Sequence, residues 1–227
     1  MAKSSLLPAV KAAFSGAASL GYNQKSAAHD IYEGYILTLL LIAADNEGWK
    51  PDRRDGKNNP TNHVVFRLGP GRLPSGNFTH FLLTKPGKAD LEAHIGVKVI
   101  GKAPYVKTVK RKSANVVHEF DLLVLTASAA KVSRSTGLDP PRSSVVAHAE
   151  AKFYGGNLPL PLGRAVVGLA AECDLAGKSV LVTNQNGATV EDLVAHYGVA
   201  FRFLVTPSGK GESHLISLFE QFLQAAP

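Results

Sequence analysis

The chain has a single cysteine, Cys173, among its 227 residues. One thiol cannot form an internal disulfide or a cysteine-rich zinc site, so neither can hold this fold together. The pattern around Cys173 is helical, and we expect this residue to pack as a small buried apolar group. Long hydrophobic runs are also missing, because the longest, residues 35–44, contains Thr38 and is too short to cross a bilayer. No secretion signal is visible, and together these absences predict a cytoplasmic protein without a membrane partner.

Several common enzyme motifs are absent as well. The sequence contains no Gly-x-Gly-x-x-Gly, no phosphate-binding Gly-Lys-Ser/Thr loop and no nucleophile elbow, which argues against the usual nucleotide-binding and hydrolase α/β enzymes. Acidic residues are outnumbered, with 18 Asp and Glu against 25 Lys and Arg, for a formal net charge of +7. A basic balance favours an acidic partner such as nucleic acid, although many basic proteins have none.

Hydrophobic periodicity predicts an α/β protein in one domain, residues 1–227, with helices over about residues 1–48 and a core over about residues 60–227. Helices are predicted at residues 3–18, 24–47, 162–175, 189–197 and 212–225. Strands are predicted at residues 63–68, 78–84, 91–100, 116–126, 145–153, 179–183 and 199–205, and loops at 49–60 and 128–144. The alternation in the C-terminal third predicts a central mixed sheet with helices on both faces.

Two of the predicted strands carry charge inside strongly apolar runs. Asp121 begins the apolar run of one strand, and Glu150 and Lys152 end the other. A buried strand does not carry charge unless the charge is paired or used. Residues two apart on a strand point to the same side, so Glu150 and Lys152 share a face. If the two strands pair, all three side chains meet, and two carboxylates beside a lysine suit a hard cation.

This pattern resembles the PD-(D/E)XK nuclease superfamily, which includes restriction endonucleases, resolvases and repair nucleases. The matching residues are Asp121 on one strand and Glu150-Ala151-Lys152 on the next, followed by a helix and a strand. The resemblance implies a restriction-endonuclease-like core in the order α-β-β-β-α-β-α-β, here with an N-terminal helical extension. It departs from the family pattern in having Phe120 rather than proline before Asp121, and in the long segment between the two motif strands.

The resemblance implies a metal-dependent phosphodiester hydrolase. Asp121 and Glu150 would hold Mg²⁺, or Mn²⁺ in its place, with the backbone carbonyl of Ala151 as a further ligand. Lys152 would orient the attacking water and stabilise negative charge developing on the phosphate. Family members often place a helix glutamate beside the metal, so the resemblance makes Glu33 a candidate metal ligand. An ordinary solvated charge on an amphipathic helix would explain Glu33 equally well.

Other polar residues on the predicted strands are weaker candidates. Glu92 faces either the same cleft or solvent. His148 shares the face of Glu150, but histidine is a poor Mg²⁺ ligand, so we expect His148 and His118 to have hydrogen-bonded packing roles.

A run of basic residues without an acid follows the strand that carries Glu92. The predicted nucleic-acid-binding residues in and near it are Lys102, Lys107, Lys110, Arg111 and Lys112, to which the resemblance adds Arg164. Arg134 and Arg142 could contact the same strand of nucleic acid. A solvated loop is the alternative explanation for such a run.

The sequence therefore favours a DNA endonuclease of restriction or phage-defence type acting on double-stranded DNA. The alternative is a catalytically inactive nucleic-acid-binding or assembly subunit with the same fold. A homodimer, or a place in a larger complex, fits an enzyme that cuts both strands. A structural ion pair between Asp121 and Lys152 would explain those two charges without any activity.

Overall fold

The computed structural model describes residues 3–104 and 115–227. Four of the predicted nucleic-acid-binding residues, Lys107, Lys110, Arg111 and Lys112, lie outside the described residues. The helices are α1 (Leu6–Ala13), α2 (Ala28–Asn46), α3 (Ala127–Thr136), α4 (Leu160–Glu172), α5 (Ala188–His196) and α6 (Gly211–Gln224). The strands are β1 (Ser19–Leu20), β2 (Lys50–Arg54), β3 (His63–Val64), β4 (His80–Thr84), β5 (Leu91–Pro104), β6 (Asn115–Thr126), β7 (Val145–Lys152), β8 (Ser179–Thr183) and β9 (Ala200–Arg202). None of the described helices is both long and apolar enough to span a membrane.

A seven-stranded mixed sheet forms the centre of the molecule, in the order β2-β4-β5-β6-β7-β8-β9. The pairs from β2 to β7 are antiparallel, and β7, β8 and β9 are parallel to one another. This arrangement follows from the connections, because β7, β8 and β9 are separated by the crossover helices α4 and α5. The predicted α/β class with a mixed central sheet flanked by helices is confirmed.

Two apolar layers cover the two faces of this sheet. Helices α1, α2 and α6 pack on one face, where Ile36 and Phe219 meet sheet residues such as Val124. Helices α3, α4 and α5 pack on the other, where Val166 and Val194 belong to the layer. Helix α2 lies between the sheet and α1 and α6, so it is buried over most of its surface and not on a single stripe. Cys173 is fully buried, as predicted.

The structure differs from the predicted elements most clearly in three places. Residues 50–54, predicted as loop, form the edge strand β2, whose charged and mostly exposed sequence Lys-Pro-Asp-Arg-Arg is typical of a protected edge. Residues 127–136, also predicted as loop, form α3, which ends at Gly137 in the left-handed conformation. The predicted strand at residues 63–68 is reduced to His63–Val64, which pairs with β1 outside the main sheet.

Candidate functional site

The two charged strands predicted to meet are neighbours in the sheet. Strands β6 and β7 are antiparallel, and Leu122 pairs with Ala149. Asp121 and Glu150 are the next positions along the two strands, which places them beside each other where β7 nears its carboxyl end. Lys152 follows on the same side of β7 as Glu150, because the two are separated by one residue.

The three side chains are in direct contact. Lys152 Nζ lies 2.6 Å from Asp121 Oδ2 and 2.9 Å from Glu150 Oε1. The backbone N–H of Ala151 donates a further hydrogen bond of 3.0 Å to Asp121 Oδ2. The Asp121 and Glu150 side chains are 13% and 16% exposed, so solvent and solutes still reach this group. We call Asp121, Glu150 and Lys152, together with Glu33, the β7 cluster.

Glu33 joins this cluster from helix α2, on which Asp30 lies one turn earlier. Burial, which is the largest effect, and the negative charge of Asp121 raise the pKa of the Glu33 carboxyl to about 9, against the opposing effect of Lys152. Asp30 adds to the rise in pKa and is itself buried. Asp30 is an acidic neighbour that was not predicted, although its spacing of three from Glu33 was the signal that could have found it.

Charge within the β7 cluster is unbalanced. Burial raises the pKa of Asp121, and the negative charge of Glu150 adds to the rise. Burial also opposes ionisation of Glu150, but the imidazole of His148 and the ammonium of Lys152 outweigh it and lower the Glu150 pKa to about 2. Burial disfavours the Lys152 ammonium, yet the two carboxylates raise its pKa. Glu33, with its raised pKa, holds its proton at neutral pH. The carboxylates of Asp121 and Glu150 thus share one ammonium, and a divalent cation would relieve the remaining negative charge.

His148 supports the site from the same side of β7. Its Nε2 lies 3.5 Å from Glu150 Oε2, its Nδ1 lies 3.2 Å from Ser179 Oγ, and its ring meets Phe120 edge-on. These contacts hold the imidazole in place beside Glu150. They agree with the predicted packing role for His148, which is fully buried beside Glu150.

Glu92 lies neither in the β7 cluster nor in solvent, so both interpretations of this residue are wrong. It is 1% exposed and lies on the sheet face covered by α3. Arg134 of α3 binds both its oxygens, with Nη1 2.9 Å from Oε2 and Nη2 2.5 Å from Oε1. His94 Nε2 donates to Glu92 Oε2 at 2.9 Å, and His80 Nε2 lies 3.5 Å from the same oxygen. We call His80, Glu92, His94 and Arg134 the β5 cluster.

The β5 cluster has its own electrostatics. Burial raises the tendency of Glu92 to bind a proton, but hydrogen bonds from Arg134 and His94 outweigh it and hold the pKa of Glu92 at about 2. Burial lowers the pKa of His80 to about 3, with His94 adding to the effect. Arg134, predicted as a possible nucleic-acid contact, instead donates hydrogen bonds to both oxygens of Glu92. Among the described residues, only His80, Glu92 and His94 bring three metal-ligating side-chain atoms within 4.8 Å of one another.

The basic residues predicted to contact nucleic acid are only partly described. Lys102 lies 2.5 Å from Asp174 and donates to the carbonyl of Ala171 at 2.8 Å. Arg142 donates to Asp174 at 2.8 Å. These contacts tie both side chains to the surface around the end of α4, although both remain partly exposed. Arg164 is exposed in the first half of α4.

Comparisons of the chain with protein-family models, curated proteins and solved structures found no match.

Proposed function

We propose that the protein is a Mg²⁺-dependent nuclease with a restriction-endonuclease-like core that hydrolyses phosphodiester bonds in DNA, of restriction or phage-defence type. The observation that carries this proposal is the convergence of Asp121, Glu150 and Lys152 beside Glu33 at one end of β7. Perturbed and mutually interacting titratable groups in a partly exposed position are typical of functional sites.

The donors of the β7 cluster fit a hard cation. Asp121 and Glu150 supply carboxylate oxygens, the Ala151 carbonyl and Glu33 are further candidate ligands, and all of these are oxygen donors. When bound, Mg²⁺ supplies Lewis-acid chemistry, which neutralises negative charge on the phosphate and makes water more acidic. Mn²⁺ prefers similar ligands and should substitute.

Lys152 is the side chain of the protein that would act directly in the reaction. The carboxylates hold its ammonium in the charged form, since they raise its pKa. A charged ammonium beside the metal ligands can orient a water for attack and stabilise the negative charge that develops on the phosphate. Its hydrogen bonds to Asp121 and Glu150 must loosen when a cation binds, so Lys152 would occupy the position between the carboxylates until a cation displaces it.

The basic composition of the sequence supports a nucleic-acid substrate. The net charge of +7 and the acid-free basic run at residues 98–112 favour contact with a phosphate backbone. We further propose double-stranded DNA as the substrate and a homodimer or larger assembly as the working form, because two sites are needed to cut both strands.

A catalytically inactive binding subunit is the second candidate. The observation in its favour is that Lys152 already satisfies both carboxylates, as a purely structural ion pair would. The two candidates differ in whether the site reacts and not in whether the protein binds nucleic acid.

Plasmid cleavage separates these candidates. We expect the wild-type protein to nick or linearise plasmid in Mg²⁺ or Mn²⁺ and to be inactive in EDTA. Lys152→Ala should lose cleavage by about 100-fold or more while still binding DNA in Ca²⁺. Lys178→Ala removes an exposed lysine near the start of β8 and is the matched control, which should cut normally. Binding without cleavage by the wild-type protein would favour the inactive subunit.

A further inference from the structure

The β5 cluster arises from the pairing of two neighbouring strands. Strands β4 and β5 are antiparallel, with Phe81 opposite Ala93 and Leu82 opposite Glu92. The register therefore places His80 opposite His94, one step beyond the last pair. Glu92 and His94 are separated by one residue on β5 and point to the same side. Two imidazoles and a carboxylate are thus brought together by a rigid part of the sheet.

The spacing of their donor atoms suits a tetrahedral metal. His94 Nε2 and His80 Nε2 lie 2.9 and 3.5 Å from Glu92 Oε2. The three residues each offer one ligand atom within 4.8 Å of the other two. Metal–ligand bonds of about 2.0–2.2 Å in tetrahedral geometry separate neighbouring donors by about 3.4 Å. The observed distances lie on either side of this value, so small side-chain movements would complete the geometry.

The donor set favours one class of ion. Imidazole suits zinc and similar transition metals, whereas Mg²⁺ prefers oxygen ligands alone. Two histidines and a glutamate are a ligand set that zinc takes with a fourth position filled by another group. Asn58 Oδ1 lies 3.1 Å from His80 Nε2, and a cavity of about 10 Å³ borders both imidazoles, which is room for roughly one water. Either could occupy the fourth position.

We propose that His80, Glu92 and His94 form a zinc-binding site that joins β4 and β5 and is separate from the β7 cluster. Each imidazole would carry its proton on Nδ1 in the bound form, because only an unprotonated nitrogen can ligate the metal. The burial of His80 and Glu92, at 2% and 1% exposed, favours a structural site.

Arg134 is the competitor for this site. Its guanidinium binds both oxygens of Glu92 in the position where a cation would bind. Zinc and the guanidinium would repel each other across one carboxylate, so binding requires Arg134 to turn away from Glu92. Its side chain is 15% exposed, which gives it an outward path. The rival explanation is a permanent buried ion-pair network in which Arg134 alone neutralises Glu92.

The two explanations predict opposite results for metal binding. After treatment with a chelator, the wild-type protein in excess Mg²⁺, which would occupy the β7 cluster, should bind one Zn²⁺ per chain by titration calorimetry, and Co²⁺ in its place should give the visible absorption of a tetrahedral site. His94→Ala and Glu92→Gln should weaken binding by about 100-fold, at least as much as removing an outer hydrogen-bond partner does. Arg134→Met should strengthen it, because the competing charge is gone.

The controls locate the metal. The Asp121→Asn variant should bind Zn²⁺ as the wild type does, because Asp121 belongs to the other cluster, and circular dichroism should show each variant folded. Absence of Zn²⁺ binding by the wild-type protein would overturn the proposal, and so would binding by Arg134→Met alone. Binding that is abolished in Asp121→Asn and kept in Glu92→Gln would also overturn it, by assigning the metal to the β7 cluster. Failure of DNA cleavage has no bearing on these results.

Discussion

The β5 and β7 clusters both place carboxylates beside a cation, and they differ in how completely the charge is balanced. In the β5 cluster one carboxylate, Glu92, is bound at both oxygens by Arg134 and is almost fully buried. In the β7 cluster Asp121 and Glu150 share the single ammonium of Lys152, Glu33 lies beside them with a pKa of about 9, and the group is partly exposed. A local excess of negative charge, and not the presence of buried charge, therefore distinguishes the site for which we propose a hard cation.

The largest expected effect comes from removing a metal ligand from the β7 cluster. Asp121→Asn keeps the shape of the side chain but removes its charge, so Mg²⁺ binding should be abolished and cleavage should fall by about 100–1,000-fold. Single-turnover cleavage of a labelled duplex measures this, with Glu92→Gln as the matched carboxylate control from the β5 cluster. Equal losses in the two variants would break the distinction between the clusters.

The basic residues predicted to bind DNA should matter for the proposed reaction at the β7 cluster and not for metal binding at the β5 cluster. Neutralising Lys107, Lys110, Arg111 and Lys112 together should weaken DNA binding and flatten its salt dependence, by roughly one unit of slope for each phosphate that is no longer neutralised. Zn²⁺ binding at the β5 cluster should not change. The measurement is DNA affinity by fluorescence anisotropy at several salt concentrations. An unchanged affinity and slope would return this run of residues to an ordinary solvated surface.

The stability of the protein should depend more on Arg134 in the β5 cluster than on Lys152 in the β7 cluster. Arg134→Met leaves Glu92 buried without its partner and should lower the free energy of unfolding by about 3 kcal/mol in the absence of zinc. Lys152→Met should cost less, because Asp121 and Glu150 are partly exposed and Asp121 can take up a proton. Urea unfolding with EDTA present gives both values. The reverse order would show that Lys152 is chiefly a structural partner.

The last expected effect concerns Glu33 and pH. Its pKa in the folded protein is about 9, against an ordinary value of 4.5, so the folded state holds a proton that the unfolded state has released between these pH values. Stability should therefore fall as pH rises through this range. Glu33→Gln should remove that dependence and raise the melting temperature more at pH 8 than at pH 5, by about 2–4 °C per kcal/mol in a chain of this size. An equal shift at both pH values would show that Glu33 is not a buried neutral acid.

Much of the core follows from apolar pattern alone. The apolar runs of β7 and β8 are buried on both faces, and their predicted bounds agree with the structure to within one residue. Strand β2 could not be predicted this way, because an edge strand is selected for charge and its Lys-Pro-Asp-Arg-Arg sequence is typical of a loop. Helix α3 was missed because its small polar residues bury only Ala130 and Ser133.

The two clusters were not equally accessible to prediction. Glu150 and Lys152 share a face by simple alternation, and Asp121 needed only one further assumption, that its strand pairs with β7. Predicting the β5 cluster would have required the register between β4 and β5, which brings His80 opposite His94. It would also have required helix α3, which carries Arg134 and was not predicted. Local pattern alone cannot predict a contact that depends on strand register or on an unrecognised element.

The most direct test of a metal-dependent active site at the β7 cluster is a crystal soaked in Mn²⁺ and measured for anomalous scattering. We expect a manganese peak between the carboxylates of Asp121 and Glu150, with Lys152 Nζ withdrawn from at least one of them. Crystals of Asp121→Asn treated identically should lack the peak. A wild-type crystal in which Lys152 still bridges both carboxylates, with no manganese between them, would contradict the assignment of this cluster as a metal-dependent active site.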